Sequence, residues 1–349
     1  MDFAAHRDRR HGRHRELLAL IFLRRGMLAL AVTLAVACAR APRHQQHFLP
    51  VVESPIALPP GFGAPPAPAD NPLTIAKAEL GRYLFYDRRL SRNQTQSCAS
   101  CHQQRLGFCD GRAHAIGSTG EEHHRNTMTL ANVGYRRPLT WSDPNVLTLE
   151  QQVLVPLTHH NPIELGMDGH FDELVARIRA DSRYAAMFAS AFPDQGEPIT
   201  IDNIARAIAS FERTLISASS PYDRLVLYGE SNALSDSAWR GRRLFFSDRL
   251  GCAACHGGPD FATPSDGDVF HGQEFRVATL RNIAVTAPYM HDGHINTLSD
   301  VIDDYAAHGR KPLLRPFRIS ADEKRDLIAF LESLTDERFL SDARFSDPF

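Results

Sequence analysis

Cys98-Ala-Ser-Cys101-His102 and Cys252-Ala-Ala-Cys255-His256 decide the reading of this 349-residue chain. Both are C-x-x-C-H, the pattern in which two cysteine thioethers fix the edge of a c-type haem and the adjacent histidine supplies an axial ligand to the iron. With six Cys and 17 His in the whole chain, chance would place such a pentapeptide about 0.005 times. A zinc ribbon has no reason to add a histidine after each cysteine pair, and a thioredoxin motif belongs to an α/β pattern that this sequence lacks. Two copies therefore mean two covalently attached haems.

Working outward, Gly81-Arg-Tyr-Leu-Phe-Tyr86 precedes the first motif and Gly241-Arg-Arg-Leu-Phe-Phe246 precedes the second, so one haem-binding unit is duplicated. Other segments carry apolar residues at helical spacing. Thr200 is placed to cap a helix with Ile201, Ile204, Ala205, Ile208 and Leu215, and Ser320 with Glu323 forms a capping box ahead of Leu327, Ile328, Leu331 and Leu334. A third predicted helix runs from Thr297 as N-cap to Gly309 as C-cap and puts Tyr305 on the buried face with Leu298, Val301 and Ile302. No run alternates as a strand does. The expected fold is mainly α, with two c-type cytochrome domains at 73–225 and 226–349, each holding one haem.

Composition agrees with a folded body: 43% hydrophobic and 23% charged residues exclude disorder, collagen and a long coiled coil. The net charge of -2 conceals a split, because residues 1–37 carry seven Arg against three acidic residues and leave -6 on the remainder. A mildly acidic body argues against nucleic acid as a partner. The apolar run Met27-Leu-Ala-Leu-Ala-Val-Thr-Leu-Ala-Val-Ala-Cys38 follows a basic flank, and residues 1–38 read as a secretory signal too short to span a bilayer. Cys38 after Ala-Val-Ala fits a lipoprotein signal with an acylated cysteine; an ordinary signal peptide cut nearby fits as well. Either reading expects export to the periplasm. Residues 39–72 are rich in Pro, Ala and Gly and read as an extended tether.

Five further segments, Leu80-Gly-Arg-Tyr-Leu-Phe85, Arg125-Asn126, Leu149-Glu-Gln-Gln152, Pro162-Ile-Glu164-Leu-Gly166 and the run Thr279-Leu-Arg-Asn-Ile to Met290-His-Asp-Gly293, resemble the bacterial dihaem cytochrome c peroxidase and MauG family. The resemblance runs from about Leu73 to Leu334. It implies that the N-terminal haem, with His102 as its proximal ligand, reacts with hydrogen peroxide and that the C-terminal haem on His256 relays electrons. Gln152, Pro156 and Glu164 fall on positions lining the distal face of the first haem, and a carboxylate there can shuttle a proton between the peroxide oxygens. Trp141 matches the family tryptophan between the haems.

The sixth ligand of the second haem separates the branches: peroxidases use Met on the helix after the His-Asp-Gly loop, MauG-like proteins Tyr, and the matching residue here is Tyr305, with Met290 as the alternative. Phenolate favours oxidised iron, whereas a thioether raises the potential. The resemblance also implies a calcium ion held by Asn126 and the carbonyls of Thr286 and Pro288. The gating histidine of some peroxidases has no counterpart at its aligned position, and His114, His123 and His124 nearby read as solvated loop residues. An open reactive haem is expected, and Cys109 reads as a small buried residue.

These readings combine into a periplasmic, MauG-like dihaem peroxidase passing oxidising equivalents to a protein or small redox partner. One alternative is a plain cytochrome c peroxidase fed by a small cytochrome or cupredoxin, whose encounter an acidic body would favour. A second is a dihaem electron carrier without enzymatic activity.

Overall fold

A computed structural model describes residues 56–263, 274–310 and 314–349. The predicted signal with Cys38, and residues 39–55 of the predicted tether, lie outside the described residues. Chain order gives α1 (Ile75–Tyr86), α2 (Cys98–Cys101), α3 (Leu149–Thr158), α4 (Phe171–Arg179), α5 (Ser182–Ala191), α6 (Ile201–Glu212), α7 (Pro221–Tyr228), α8 (Asp236–Phe245), α9 (Cys252–Cys255), α10 (Leu298–His308), α11 (Ala321–Glu332) and α12 (Glu337–Ser341). Among the described residues β-structure is confined to isolated bridges. The fold is mainly α, as read, and no described helix is long and apolar enough to cross a membrane.

The three helices predicted from capping signals start where their caps stand. Thr200 accepts the N–H of Asn203 ahead of α6, Thr297 that of Asp300 ahead of α10, and Ser320 and Glu323 exchange hydrogen bonds ahead of α11. Each satisfies donors that the first helical turn leaves without partners. Gly309 ends α10, its N–H bonded to the Tyr305 carbonyl.

The Gly-Arg repeat marks two equivalent helix crossings. α1 lies across α6 at Gly81, where a Cβ would stand 1.9 Å from the Ala207 carbonyl oxygen and 2.9 Å from Phe211 Cβ. At Gly241, where α8 crosses α11, the same distances to Asp326 O and Phe330 Cβ are 1.8 and 2.9 Å. Around the first crossing Leu80, Leu84, Phe85, Ile204, Ile208 and Phe211 are buried, and around the second Phe245, Leu327, Phe330 and Leu331. Burial of each such side chain contributes about 1.5–3 kcal/mol. The duplication also repeats a ring pair: Phe85 and Phe211 centroids are 5.2 Å apart, Phe245 and Phe330 5.1 Å.

A second repeat escaped the sequence reading: Thr129-Leu-Ala-Asn132 and Thr279-Leu-Arg-Asn282. Both asparagines are left-handed, at φ 58° and 59°, and their N–H groups bond the carbonyls of Leu215 and Leu334, just past α6 and α11. Asn tolerates this conformation better than other non-glycine residues because its short polar side chain bonds locally.

Two segments depart from a simple chain of units. Residues 56–72 carry no helix, yet they lie against the body: Pro65 and Asn71 are buried, the Pro66 carbonyl accepts Arg213 Nε at 3.0 Å, and Phe62 packs edge-on to Tyr135. At the other end, Phe339 and Phe345, read as part of the second haem domain, pack in the first core. Tyr86 Oη donates to the Phe345 carbonyl at 2.7 Å, and Gln104 Nε2 to those of Phe339 and Asp342 at 3.1 and 2.9 Å.

Candidate active site

Each C-x-x-C-H motif forms one helical turn with its histidine at the C-cap. The N–H of His102 bonds the Cys98 carbonyl and that of His256 the Cys252 carbonyl, both at 2.9 Å. His102 Nδ1 stands 2.8 Å from the Phe108 carbonyl and His256 Nδ1 3.1 Å from that of Phe261. A carbonyl can only accept, so Nδ1 carries the hydrogen and the Nε2 lone pair is left for iron. Phe108 and Phe261 aim those carbonyls from left-handed backbone at φ 63° and 50°, a strained state for bulky residues. Burial lowers both histidine pKa values, which keeps the imidazoles neutral and ligating.

His256, Cys252 and Cys255 line a cavity of about 450 Å³ together with Tyr305, Met290, Trp141 and Arg276. That volume suits a cofactor-sized group. Arg276 Nε is buried there without a hydrogen-bond partner, and burial lowers its pKa to about 9. A cation so placed fits a carboxylate-bearing guest such as haem with its propionates. The cavity at His102 is narrower, about 80 Å³, lined by Cys98, Cys101, Gln152, Pro156, Glu164, His123 and Glu212. Its donors suit the same group: burial pushes Cys101 up to about 12 and keeps it a thiol, ready for thioether formation, and Glu212 Oε2 is buried without a partner.

All three predicted distal residues thus meet His102 in one cavity. α3 begins with a capping box between Thr148 and Gln151 and presents Gln152 and Pro156 one turn apart. Proline has no N–H to give to the Gln152 carbonyl, while its own carbonyl accepts the N–H of Leu165 at 2.9 Å. This bond draws the loop after α3 back over the helix and sets Glu164 at the cavity.

His123, expected to be a solvated loop residue, instead lines this cavity. Its Nε2 lies 3.5 Å from Glu164 Oε1, and His159 Nδ1 lies 3.8 Å from the same oxygen. His114 fits the expectation better, facing the exposed Glu122 at 3.3 Å. Glu212, also missed, is 4% exposed, and burial raises its pKa to about 8. Nothing in local spacing marks it, since it sits among the apolar residues of α6. Cys109 is buried, with its thiol pKa raised by burial, as read.

In the second cavity Tyr305 projects from α10 with the Arg310 guanidinium 4.4 Å over its ring. Met290, at φ 76°, lines the same space. Trp141 Nε1 donates to the Asn126 carbonyl at 2.8 Å, and the Asn126 N–H bonds the His291 carbonyl at 2.8 Å. Asn126 therefore stands beside the loop carrying Thr286 and Pro288, with its amide nitrogen held by the Arg112 carbonyl at 2.8 Å.

Residues 75–232 match a family described as di-haem cytochrome c peroxidase. The chain is 37% identical over 298 residues to the methylamine utilization protein MauG of Methylorubrum extorquens, covering 78% of this chain and 82% of that one. Against the cytochrome c551 peroxidase of Pseudomonas aeruginosa it is 30% identical over 334 residues, covering 88% and 90%. A crystal structure of a MauG-like protein associated with microbial copper homeostasis superposes with a TM-score of 0.77 at 40% identity, over 83% of this chain and 98% of that chain.

Proposed function

The chain belongs to the dihaem cytochrome c peroxidase and MauG family of haem-dependent oxidoreductases, and from that premise we propose that it is the MauG-like kind. It takes hydrogen peroxide at the His102 site and draws two electrons through the His256 site from a protein substrate or a small redox protein. What carries this reading is Tyr305 in the His256 cavity under the Arg310 guanidinium. Burial raises the Tyr305 pKa and the Arg310 guanidinium opposes that rise; as an anionic oxygen donor on iron, this side chain would hold the metal in its oxidised states.

Haem, when bound, supplies the iron that receives peroxide and the electrons that break its O–O bond. The protein holds His102 as a neutral donor through the Phe108 carbonyl. Glu164 takes the proton from one peroxide oxygen and returns it to the other, which departs as water. Gln152 offers an amide to the oxygen that keeps no proton, and Trp141, fixed through Asn126, provides an aromatic step between the two sites. Calcium on Asn126 and the Thr286 and Pro288 carbonyls would stiffen the loop behind Trp141. The reading includes export, with Cys38 as a lipid anchor, which globomycin-sensitive processing of the full-length chain would test.

Met290 in the same cavity favours a second reading, a plain cytochrome c peroxidase with a thioether on the second haem. Low-temperature EPR of the ferric protein, before and after half-reduction, tests between them. One high-spin and one low-spin signal from the start is the expected result. Two low-spin signals that convert to a mixed pair on half-reduction would refute the MauG-like reading in favour of the plain peroxidase, and two that never convert would refute both.

A further inference from the structure

His123, His159 and Glu164 bring two imidazoles and a carboxylate within 4.8 Å of one another, a donor set that metal sites use. The backbone decides against a metal. The Arg125 N–H donates to His123 Nδ1 at 3.0 Å, so in the neutral ring the hydrogen sits on Nε2, the nitrogen facing Glu164. His159 Nδ1 stands 2.9 Å from the Pro162 carbonyl, which can only accept, so this nitrogen also carries its hydrogen. Neither nitrogen turned to the carboxylate therefore has a lone pair for a cation: His123 Nε2 carries a hydrogen facing Glu164, and the hydrogen on His159 Nδ1 is directed at the Pro162 carbonyl.

We propose that His123 and His159 are positioning residues that clamp the Glu164 carboxylate over the His102 cavity; this rests on the reading that Glu164 moves the peroxide proton. The clamp comes from two loops docked on each other. Gly117 meets the second loop so closely that a Cβ would stand 1.9 Å from the Ile163 carbonyl oxygen. Ser118 N–H bonds the Glu164 carbonyl at 2.7 Å, and Glu121 Oε2 accepts the Ile163 N–H at 2.9 Å. On the cavity side, Gln96 Nε2 ties down the carbonyls of Ile116 and Gly117 at 3.0 and 3.1 Å. His123 is held in this frame by its own N–H on the Ala115 carbonyl at 2.7 Å. Its ring lies 6.0 Å from that of His159, and Glu164 Oε1 stands between the two rings, 3.5 Å from His123 Nε2 and 3.8 Å from His159 Nδ1; the clamp requires these contacts to tighten in the catalytic complex.

Four variants of the haem-loaded protein test the clamp: Glu164→Gln, His123→Leu/His159→Leu, the conservative His123→Gln/His159→Asn, and the triple combination of Glu164→Gln with both leucines. Two rates are followed by rapid mixing at the Soret band: that of peroxide reaction, and that of cyanide association, which needs a proton acceptor but no turnover. Haem content, measured separately, reports on folding. The leucine pair is expected to slow both rates at least tenfold, the Gln/Asn pair to restore them to within about threefold, and the leucines to add nothing on top of Glu164→Gln, as for residues acting as one unit. If Glu164→Gln slows both rates and the leucine pair does not, the clamp is overturned while the role of Glu164 stands. If Glu164→Gln leaves both unchanged, the underlying proton-transfer reading fails instead, and the clamp with it. Stoichiometric zinc binding that disappears in His123→Leu/His159→Leu would replace the clamp with a metal site; no zinc retained after dialysis is the expected result.

Discussion

Gly81→Ala probes the helix crossing on which the first haem unit is built. An added Cβ would lie 1.9 Å from the Ala207 carbonyl oxygen, 2.5 Å from its carbon and 2.9 Å from Phe211 Cβ. Ordinary contact begins near 3.4 Å, so α1 and α6 must part by roughly 1.5 Å, and the buried layer of Leu80, Leu84, Phe85 and Phe211 opens with them. Overpacking of this kind costs about 1–3 kcal/mol and occasionally more. Against it stands about 1 kcal/mol that alanine gains over glycine inside a helix. Because the obstacle is backbone rather than the end of a flexible side chain, the loss falls at the upper end, and the net is about 2 kcal/mol of destabilisation. For a protein of this size that corresponds to a melting temperature lower by about 3 °C. Thermal unfolding of the haem-loaded protein followed at 222 nm measures it, with Gly63→Ala as the control because nothing lies within 4 Å of its Cβ position. Gly241→Ala should repeat the loss at the second crossing. A Gly81→Ala protein melting at or above the wild type would refute the reasoning.

Replacing His102 by Gly should abolish the peroxide-induced Soret change while the second haem remains attached; preserved reactivity would reverse the roles assigned to the two sites. Tyr305→Phe should change the low-spin EPR signal of the second haem, and an identical signal would pass the ligand role to Met290. Glu212, raised from an ordinary 4.5 to about 8 by burial, stays protonated in the folded protein while the unfolded chain ionises. Stability should therefore fall as pH rises between about 4.5 and 8, with a slope of at most about 1.4 kcal/mol per pH unit from this group. Denaturant titrations of Glu212→Gln should show a flatter profile, and an unchanged slope would place the carboxylate in water.

What was legible in the sequence was local. The C-x-x-C-H pentapeptides, the Gly-Arg repeat and the caps at Thr200, Thr297 and Ser320 each work within a few residues, so one strip of sequence contains the whole cause. Tyr305 emerged on the cavity side of α10 because helical periodicity alone fixes which face Ile302 buries. The misses depend on loops meeting across the molecule. His123 and Glu164 approach because Gly117 admits the Ile163 backbone, and loops have no period from which such a meeting can be read. The Phe108 and Phe261 carbonyls act through a left-handed backbone that bulky residues rarely adopt, so their identity gave no warning. Likewise, Pro65 and Asn71 looked like linker composition, and only the buried Glu150–Arg213 pair beneath them, with Asn71 Nδ2 donating to Glu150 at 2.6 Å, makes that stretch part of the body.

The return of the C-terminal segment to the first core has a consequence for the order of assembly. Phe339 and Phe345 follow the whole second unit in the chain, yet the apolar layer beside His102 lacks two of its side chains until they arrive. The duplicated units are thus not interchangeable cassettes: a chain cut between them would leave the N-terminal piece with an open flank. Slow, long-range contacts of this type close late in folding. A purification tag fused after Phe349, whose ring stacks edge-on against Tyr83 in α1, would sit on the His102 half of the molecule although it follows the other half in sequence.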